Sequence, residues 1–506
     1  MTAYTFKTEP MEHQARALRS IIERKGVCGL LMDPGTGKSK CVIDYLAMLT
    51  LRFGAQDWLI AAPLSALDGW PEQFAQHMPD NVEYELIWLG DGPLSIEQKA
   101  QALRDLPPQD LPTLRVVLIN HDAFGSKAKA TGKDGKKLTT VTVWDRIVGA
   151  VEAWSPDGMV VDESHRLKTH TSKRSKAFAR MAKAVPKRLI LTGTVAPRNL
   201  LDIYGQWQTL NARQFGTDWN GFRFKYAKWG GYMDKTPILW LETDDMRSRI
   251  LADAFVVKKE DALDLPPVTE VTLPVRLSPK ERAAYISMGQ EMLVELPSGG
   301  EAIAPIPITK MLRQRQLTGG YVGYETEDGL RAEERLGEAK AKVCAEKLID
   351  LVDAGEKVVV FAHFRADLDI IEEKARKALP KGVPIYRVDG STKKSDRMDA
   401  RTGFRDHDGP AVFVAQMRVM SLGVNELVVA AYGIVYSMSE RRDDFDQALD
   451  RLDRKGQTRP VTIYHLLVPD SVDELMLKGH QDKLDLERVI TTRKQAEHYL
   501  TLGAGA

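Results

Sequence analysis

The sequence predicts an α/β chain built as two parallel-sheet lobes with helical protrusions between them. Short apolar, β-branched runs alternate with charged amphipathic stretches, the pattern of parallel strands covered on both faces. The runs fall into two clusters, separated by a stretch of different texture. A glycine-rich loop near the N-terminus and two arginines near the C-terminus then carry complementary chemistry at opposite ends of the chain.

The first cluster comprises residues 27–32, 58–62, 116–120, 159–162 and 188–192, and the second 357–363, 384–388, 411–415, 433–437 and 461–466. Between them Trp207, Phe215, Trp219, Phe222, Phe224, Tyr226, Trp229, Tyr232 and Trp240 crowd one segment. Helical patterns follow over 280–296 and 308–317, and Asp264-Leu265-Pro266-Pro267 marks a turn or extended linker. This middle third reads as helical protrusions on the lobes, with a single helical linker domain as the alternative. The resulting organisation is a first lobe over 1–200, protrusions over 201–335, a second lobe over 336–470 and a helical tail over 471–506. The last four residues, 503–506, are expected to be unstructured.

At 506 residues the chain exceeds one ordinary core. Its 43% hydrophobic and 28% charged content is that of a globular protein. A net charge of +1 excludes a uniformly basic nucleic-acid coat and leaves local patches. Three scattered cysteines (Cys28, Cys41, Cys344) give neither a disulfide framework nor a zinc pattern. The N-terminus lacks a signal-peptide core and no run reaches membrane-spanning length, so a cytoplasmic setting, bacterial or viral-host, is expected.

The run 27–32 leads directly into Gly35-Thr36-Gly37-Lys38-Ser39, with a helical pattern from Lys40. Strand, glycine loop and helix form the context of a phosphate-binding loop. Its backbone N–H groups curl around phosphates, the helix N-terminus adds positive potential, and Lys38 reaches the β- and γ-phosphates of ATP. Ser39 would ligate Mg²⁺. Asp162 and Glu163 end an apolar strand: Asp162 suits the Mg²⁺ contact and Glu163 the base that orients an attacking water. Far downstream, Arg451 and Arg454 are three apart, so on a helix they share a face and offer two permanently charged forks to a polyphosphate.

With these residues assembled, the chain resembles the superfamily 2 helicases, and within them the Swi/Snf-type DNA translocases, from Glu9 to about Ile490. The resemblance implies RecA-like lobes and assigns further residues. Gln14 resembles the glutamine that reads adenine. Pro63-Leu64-Ser65-Ala66-Leu67 followed by Trp70, and Asn120-His121-Asp122, resemble motifs facing the nucleic-acid backbone, which brings in Ser65 and His121. Asp162-Glu163-Ser164-His165 matches the acidic box and Leu191-Thr192-Gly193-Thr194 the coupling motif, where Val195 replaces proline and Arg198 glutamine. In the second lobe His363, and Ser421 with Asn425, fall in motifs that touch DNA. Met420-Ser421 replaces a double glycine there. Gln447, Arg451, Arg454, Gly456 and Gln457 match the final motif, with Asp450 where glycine is usual.

Between Arg166 and Arg188 the chain carries nine cations, Lys173, Arg174 and Lys176 among them, and no acid. Such a run is either a solvated face or, beside an ATPase motif, a backbone-binding surface. A second run holds Lys127, Lys129, Lys133, Lys136 and Lys137. The aromatic crowd could stack single-stranded bases or pack a protrusion core. The expected activity is a nucleic-acid-dependent ATPase that moves on duplex or branched DNA, with Arg451 and Arg454 closing on the γ-phosphate. Preference for translocation on double-stranded DNA over strand separation comes from the resemblance, and RNA is the less expected partner. The alternatives are a strand-separating DNA or RNA helicase and a nucleotide-gated, non-enzymatic DNA-binding module.

Overall fold

The computed structural model describes residues 4–90, 94–108, 113–125, 143–230, 236–290, 293–295, 301–303, 307–326, 328, 330–420 and 426–491. The lysine run 127–137, Tyr232, Ser421, Asn425 and the expected unstructured end at 503–506 lie outside the described residues, as does the Ser65 side chain. The chain divides into two units, one comprising Met1–Leu263 with Lys483–Ala506 and the other Asp264–Asp482. Among the described residues no helix is long and apolar enough to cross a membrane.

The first unit is organised by β1 (Val27–Met32), β2 (Gln56–Ala62), β3 (Tyr84–Leu89), β4 (Leu114–Asn120), β5 (Gly158–Val161) and β6 (Lys187–Thr192). With a later strand, Ala254–Val257, they form one sheet in the order β3-β4-β2-β5-β6-β1 and then Ala254–Val257. Every pair in it is parallel. Buried aliphatic side chains cover both faces, as near-continuous apolar strands require. A parallel sheet aligns its strand carboxyl ends on one edge, which is where open α/β sheets place ligands. The loop after β1, the acidic box after β5 and the coupling motif after β6 therefore converge along that edge.

The first protrusion contributes helices Ile203–Leu210, Trp219–Tyr226 and Thr243–Asp253. Trp207, Phe215, Phe222 and Tyr226 are buried in it, Tyr204 and Trp219 pack against Phe222, and His170 packs on Tyr204 and Trp219. The aromatic crowd is thus mainly a protrusion core, with Phe224 exposed.

The second unit holds another all-parallel sheet, in the order Val268–Pro274, Val461–Leu467, Tyr432–Val435, Lys357–Ala362, Ala411–Gln416 and Ile385–Val388. Its protrusion is a pair of helices, Pro279–Gln290 and Pro307–Gly319. The helix expected over 280–296 stops at Gln290, and Leu293–Glu295 pairs instead with Glu301–Ile303 as an antiparallel hairpin. The tail helix Val472–Thr491 starts on a buried ion pair, Asp473 to Lys340 at 2.6 Å, and Thr318 Oγ1 donates to the same carboxylate at 3.0 Å. Removing one partner would leave an uncompensated buried charge.

Candidate active site and the neighbouring polar network

Helix Lys38–Phe53 begins at Gly37, whose φ of +91° is the left-handed conformation that favours glycine. A Cβ there would also sit 2.2 Å from Gln14 Nε2. Lys38 Nζ donates to the carbonyls of Met32 at 2.7 Å and Asp33 at 3.3 Å, so the lysine lies along its own loop. Thr36 O accepts from Gln14 Nε2 at 3.1 Å, and His13 Nε2 lies 2.8 Å from the same oxygen. Gln14 Oε1 accepts from Met11 N at 3.0 Å. Both ends of Gln14 are therefore engaged within the protein, and its place here is as a clip on the loop. Ser39 is half-buried in the first turn of the helix.

Asp162 is buried at the end of β5 and accepts two hydrogen bonds, from Glu163 N to Oδ1 at 2.9 Å and from Trp70 Nε1 to Oδ2 at 3.2 Å. Burial, then the neighbouring Glu163 charge, push its pKa up to about 6 against the pull of Lys38. Glu163 is also raised by burial, but the hydrogen bond and charge of His165, with Lys38 and Arg166, bring it below its ordinary value. Two carboxylates in one buried place cannot both ionise freely, and their environments push them apart. Glu163 holds φ +50°, left-handed and uncommon for a non-glycine, at a cost of about 1–3 kcal/mol.

From Glu163 a polar chain runs to the coupling motif. His165 Nδ1 lies 3.2 Å from Glu163 Oε2 and 3.1 Å from Thr192 Oγ1. Thr192 gives its single hydroxyl proton to Thr194 O at 2.8 Å, so its oxygen accepts from Thr194 N at 3.1 Å and from His165 Nδ1–H. Nδ1 is therefore the donor in this contact, and its one N–H is shared with Glu163 Oε2. Ser164 Oγ donates to Gln206 Oε1 at 2.9 Å, and Gln206 Nε2 donates to Val195 O at 2.7 Å. Gly193 lies against the loop, where an added Cβ would stand 2.7 Å from Pro34 Cδ. Arg198 is held locally by Asp202, its Nε donating to Oδ1 at 2.9 Å. The sequence reading assigned no role to Gln206 and did not link Trp70 to the acidic box. Neither belongs to a charged pattern, and only the fold brings Trp70 to Asp162 and Gln206 to Ser164.

Ser39 and Asp162 offer a hydroxyl and a carboxylate, oxygen donors of the kind that suits Mg²⁺. Asp162 is buried, and each of its oxygens accepts one hydrogen bond, which leaves lone pairs for a cation. The residues fit the ion, with nucleotide phosphates completing the shell.

The expected nucleic-acid residues are placed unequally. Lys173, Arg174 and Lys176 occupy the start of helix Lys173–Met181, whose Ser175, Ala177, Phe178 and Met181 are buried. Lys176 is exposed, Lys173 is half-buried, and Arg174 is ion-paired to Asp122. His121 does not fit the role expected of it. It is fully buried, its Nε2 lies 3.0 Å from Ala61 O, and its ring packs edge-on to Phe178. Burial, with Arg174 and Arg166 nearby, drives its pKa well below the ordinary histidine range, so it is a neutral core residue.

In the second unit the helix Arg442–Leu449 ends before both arginines, and Asp450 is its C-cap at φ −60°. Arg451 and Arg454 thus lie in the turns that follow and not on a shared helical face. Asp450 is right-handed, so no glycine is demanded there, whereas Gly456 at φ +105° is where one is. Arg451 Nε donates to Met420 O at 2.8 Å. Burial lowers the pKa of Arg454, opposed by Asp450 and Glu426. Gln457 Nε2 donates to Val428 O and Ala430 O, both at 3.0 Å, and its Oε1 accepts from Thr458 N and Arg459 N. Gln457 is the knot that fixes this turn. His363 N donates to Ser437 Oγ at 2.8 Å, and its Nε2 lies 3.3 Å from Glu440 Oε2. Burial and Arg315 push its pKa down to about 4, against Glu440.

Comparison with known proteins agrees with this geometry. The SNF2-related domain matches residues 13–318, and the helicase conserved C-terminal domain matches residues 340–456. The ATP-dependent DNA helicase DDM1 of Arabidopsis thaliana is 26% identical over 96% of this chain and 62% of its own length. The SWI/SNF-related matrix-associated actin-dependent regulator of chromatin subfamily A member 1 of Homo sapiens is 23% identical over 95% of this chain and 43% of its own. The chain therefore spans less than two thirds of each of these relatives. The solved Sulfolobus solfataricus SWI2/SNF2 ATPase core in complex with dsDNA aligns over 97% of this chain and 98% of its own, at 18% identity and a TM-score of 0.41. With the SNF2-related match covering well over half of the sequence, this chain belongs to the SNF2-related domain family.

Proposed function

We propose that the chain is a DNA-dependent ATPase that converts ATP hydrolysis into movement along duplex DNA. The observation that carries the reading is the wired path from Glu163 through His165 to Thr192 and Thr194, beside a loop whose lysine lies on its own carbonyls. A hydrolytic carboxylate joined by hydrogen bonds to a coupling strand is what a motor needs and a passive binding module does not. The family match and the relative named an ATP-dependent DNA helicase support the substrate class.

In this reading Lys38 leaves the Met32 and Asp33 carbonyls to hold the β- and γ-phosphates, and Gly35, Thr36 and Gly37 supply backbone donors. Ser39 and Asp162 hold Mg²⁺, which when bound neutralises charge on the phosphate oxygens. Glu163 takes a proton from the attacking water, its carboxylate kept ionised by His165. Arg451 and Arg454 stabilise transition-state charge on the γ-phosphoryl group. Gln14 is assigned to the adenine by resemblance, and with His13 it holds the Thr36 carbonyl of the loop. Lys173, Arg174, Lys176 and His363, with Ser65, Ser421 and Asn425 by resemblance, are assigned to the DNA backbone. The lobes are assigned to 1–200 and 336–470, with protrusions over 201–335 and a tail over 471–506.

The test is steady-state ATPase activity with single-stranded, duplex and branched DNA and with RNA, paired with triplex displacement. Duplex DNA should stimulate hydrolysis and ATP should drive displacement of the third strand. Stimulation by single-stranded RNA but not by duplex DNA would overturn the proposal, and strand separation without triplex displacement would favour a helicase.

A further inference from the structure

We infer that Trp70 is a positioning residue for the metal carboxylate. Its indole N–H fixes Asp162 in the orientation needed by the divalent cation that accompanies the nucleotide. The inference rests on the ATPase reading above and adds a residue to it.

Trp70 opens the helix Trp70–His77, is 1% exposed and packs against Phe74. The indole has one donor and no acceptor, and when buried it usually finds a partner. Here that partner is Asp162 Oδ2 at 3.2 Å, 92 residues away. The pairing is not forced by the need to satisfy any buried indole, because Trp58, also in this core, has a buried Nε1 with no hydrogen-bond partner.

The geometry explains what the bond does. A carboxylate turns about a terminal torsion with a broad energy profile. The Glu163 amide alone, on Oδ1, would leave that torsion soft. A second donor on the other oxygen, from a different element, fixes the plane and leaves each oxygen further lone pairs for a cation. Groups that orient metal ligands in this way typically contribute about 10–100-fold to metal affinity.

Trp70→Phe keeps an aromatic ring of the same face and removes the N–H. In the full-length protein, ADP binding is titrated with Mn²⁺ and again in EDTA. The half-saturating Mn²⁺ should rise about tenfold or more, while ADP affinity in EDTA and the thermal midpoint stay as in the wild type. A half-saturating Mn²⁺ within about twofold of wild type would overturn the inference. A measurement on the wild type serves if the variant does not fold. All nine tryptophans lie between positions 58 and 240, so every indole N–H signal reports the first unit. Paramagnetic Mn²⁺ with ADP should broaden an indole N–H signal that Mg²⁺ with ADP leaves sharp. If none is broadened, Trp70 does not touch the metal's ligand. Failure of the wild type to bind ADP with any metal would instead count against the ATPase reading.

Discussion

The two units secure their charged groups by different means. In the first, Lys38, Asp162 and Glu163 stand at the carboxyl edge of a parallel sheet, and named donors hold them in place: Trp70 and a backbone amide on Asp162, His165 on Glu163. In the second, Arg451 and Arg454 lie beyond the end of a helix, in turns fixed through Gln457 and the Met420 carbonyl. A group on a sheet edge inherits the rigidity of the sheet. A group in a turn can change partner when a few backbone dihedrals change. That contrast is in keeping with the proposed roles, a fixed base in Glu163 and arginines that can exchange partners.

The contrast is sharpest in hydrolysis. Glu163→Gln should lower kcat by up to about 10⁴-fold, the upper range for a general base, with ATP binding retained. Rapid-quench turnover and nucleotide binding on the same sample check it, and loss of binding in step with turnover would make Glu163 structural. Arg451→Ala should cost about 10³-fold in kcat, the lower end for an arginine finger, again with ATP affinity nearly intact. Unchanged hydrolysis would remove Arg451 from the proposed chemistry and make its bond to Met420 O its whole role.

A smaller effect separates surface from site. Neutralising Lys173, Arg174 and Lys176 together should weaken duplex binding and make its salt dependence shallower, by about 0.9 in log–log slope for each phosphate that is no longer neutralised. Arg174 is already paired with Asp122, so Lys173 and Lys176 are expected to carry most of the change. An unaltered slope measured by fluorescence anisotropy across a salt series would return this helix to an ordinary solvated face.

Much of this was legible in the sequence, for physical reasons. Strands buried on both faces write themselves as unbroken apolar runs, and all ten such runs are strands of the two sheets. Three strands at sheet edges do not, although Ile385–Val388 at another edge does. Tyr84–Leu89 opens on two exposed residues and carries a glutamate, and Val268–Pro274 is mostly exposed and carries another, so neither reads as an apolar run. Ala254–Val257 is only four residues long. The phosphate loop and acidic box were readable because their chemistry needs fixed residues at fixed spacing. The side chains that orient them were not. Trp70 stands out only as part of a motif facing the nucleic-acid backbone, and Gln206 not at all, until topology sets them beside Asp162 and Ser164. His121 misled for the converse reason: its motif position implies DNA, but its side chain is turned inward to Ala61 O. The arginine pair misled in a smaller way, since spacing alone could not show that the helix ends at Leu449.

A second pair of residues sets the units side by side: Asp162 and Asp367, each buried and each with a raised pKa. Asp162 has a proposed cation to justify its burial; Asp367 has none. Burial pushes Asp367 up to about 7, opposed by the Ser437 hydroxyl, Lys340 and the Phe364 amide, with Asp473 adding to the rise. Below about pH 4 an aspartate is protonated in both folded and unfolded chains, and pH has no effect through it. Between about 4 and 7 the unfolded chain releases its proton while the folded chain keeps it, so stability falls by about 1.4 kcal/mol per pH unit, and above 7 the loss is constant. Asp367→Asn removes that dependence. Between pH 5 and pH 8 the variant should gain about 3 kcal/mol on wild type for a shift of this size. Tryptophan fluorescence would miss this, because no tryptophan lies in residues 264–482. Amide exchange over helix Arg365–Ala378 reports the second unit directly. A difference between variant and wild type that is the same at pH 5 and pH 8 would mean that Asp367 is ionised in the fold and that its neighbours, chiefly Lys340, already balance its charge.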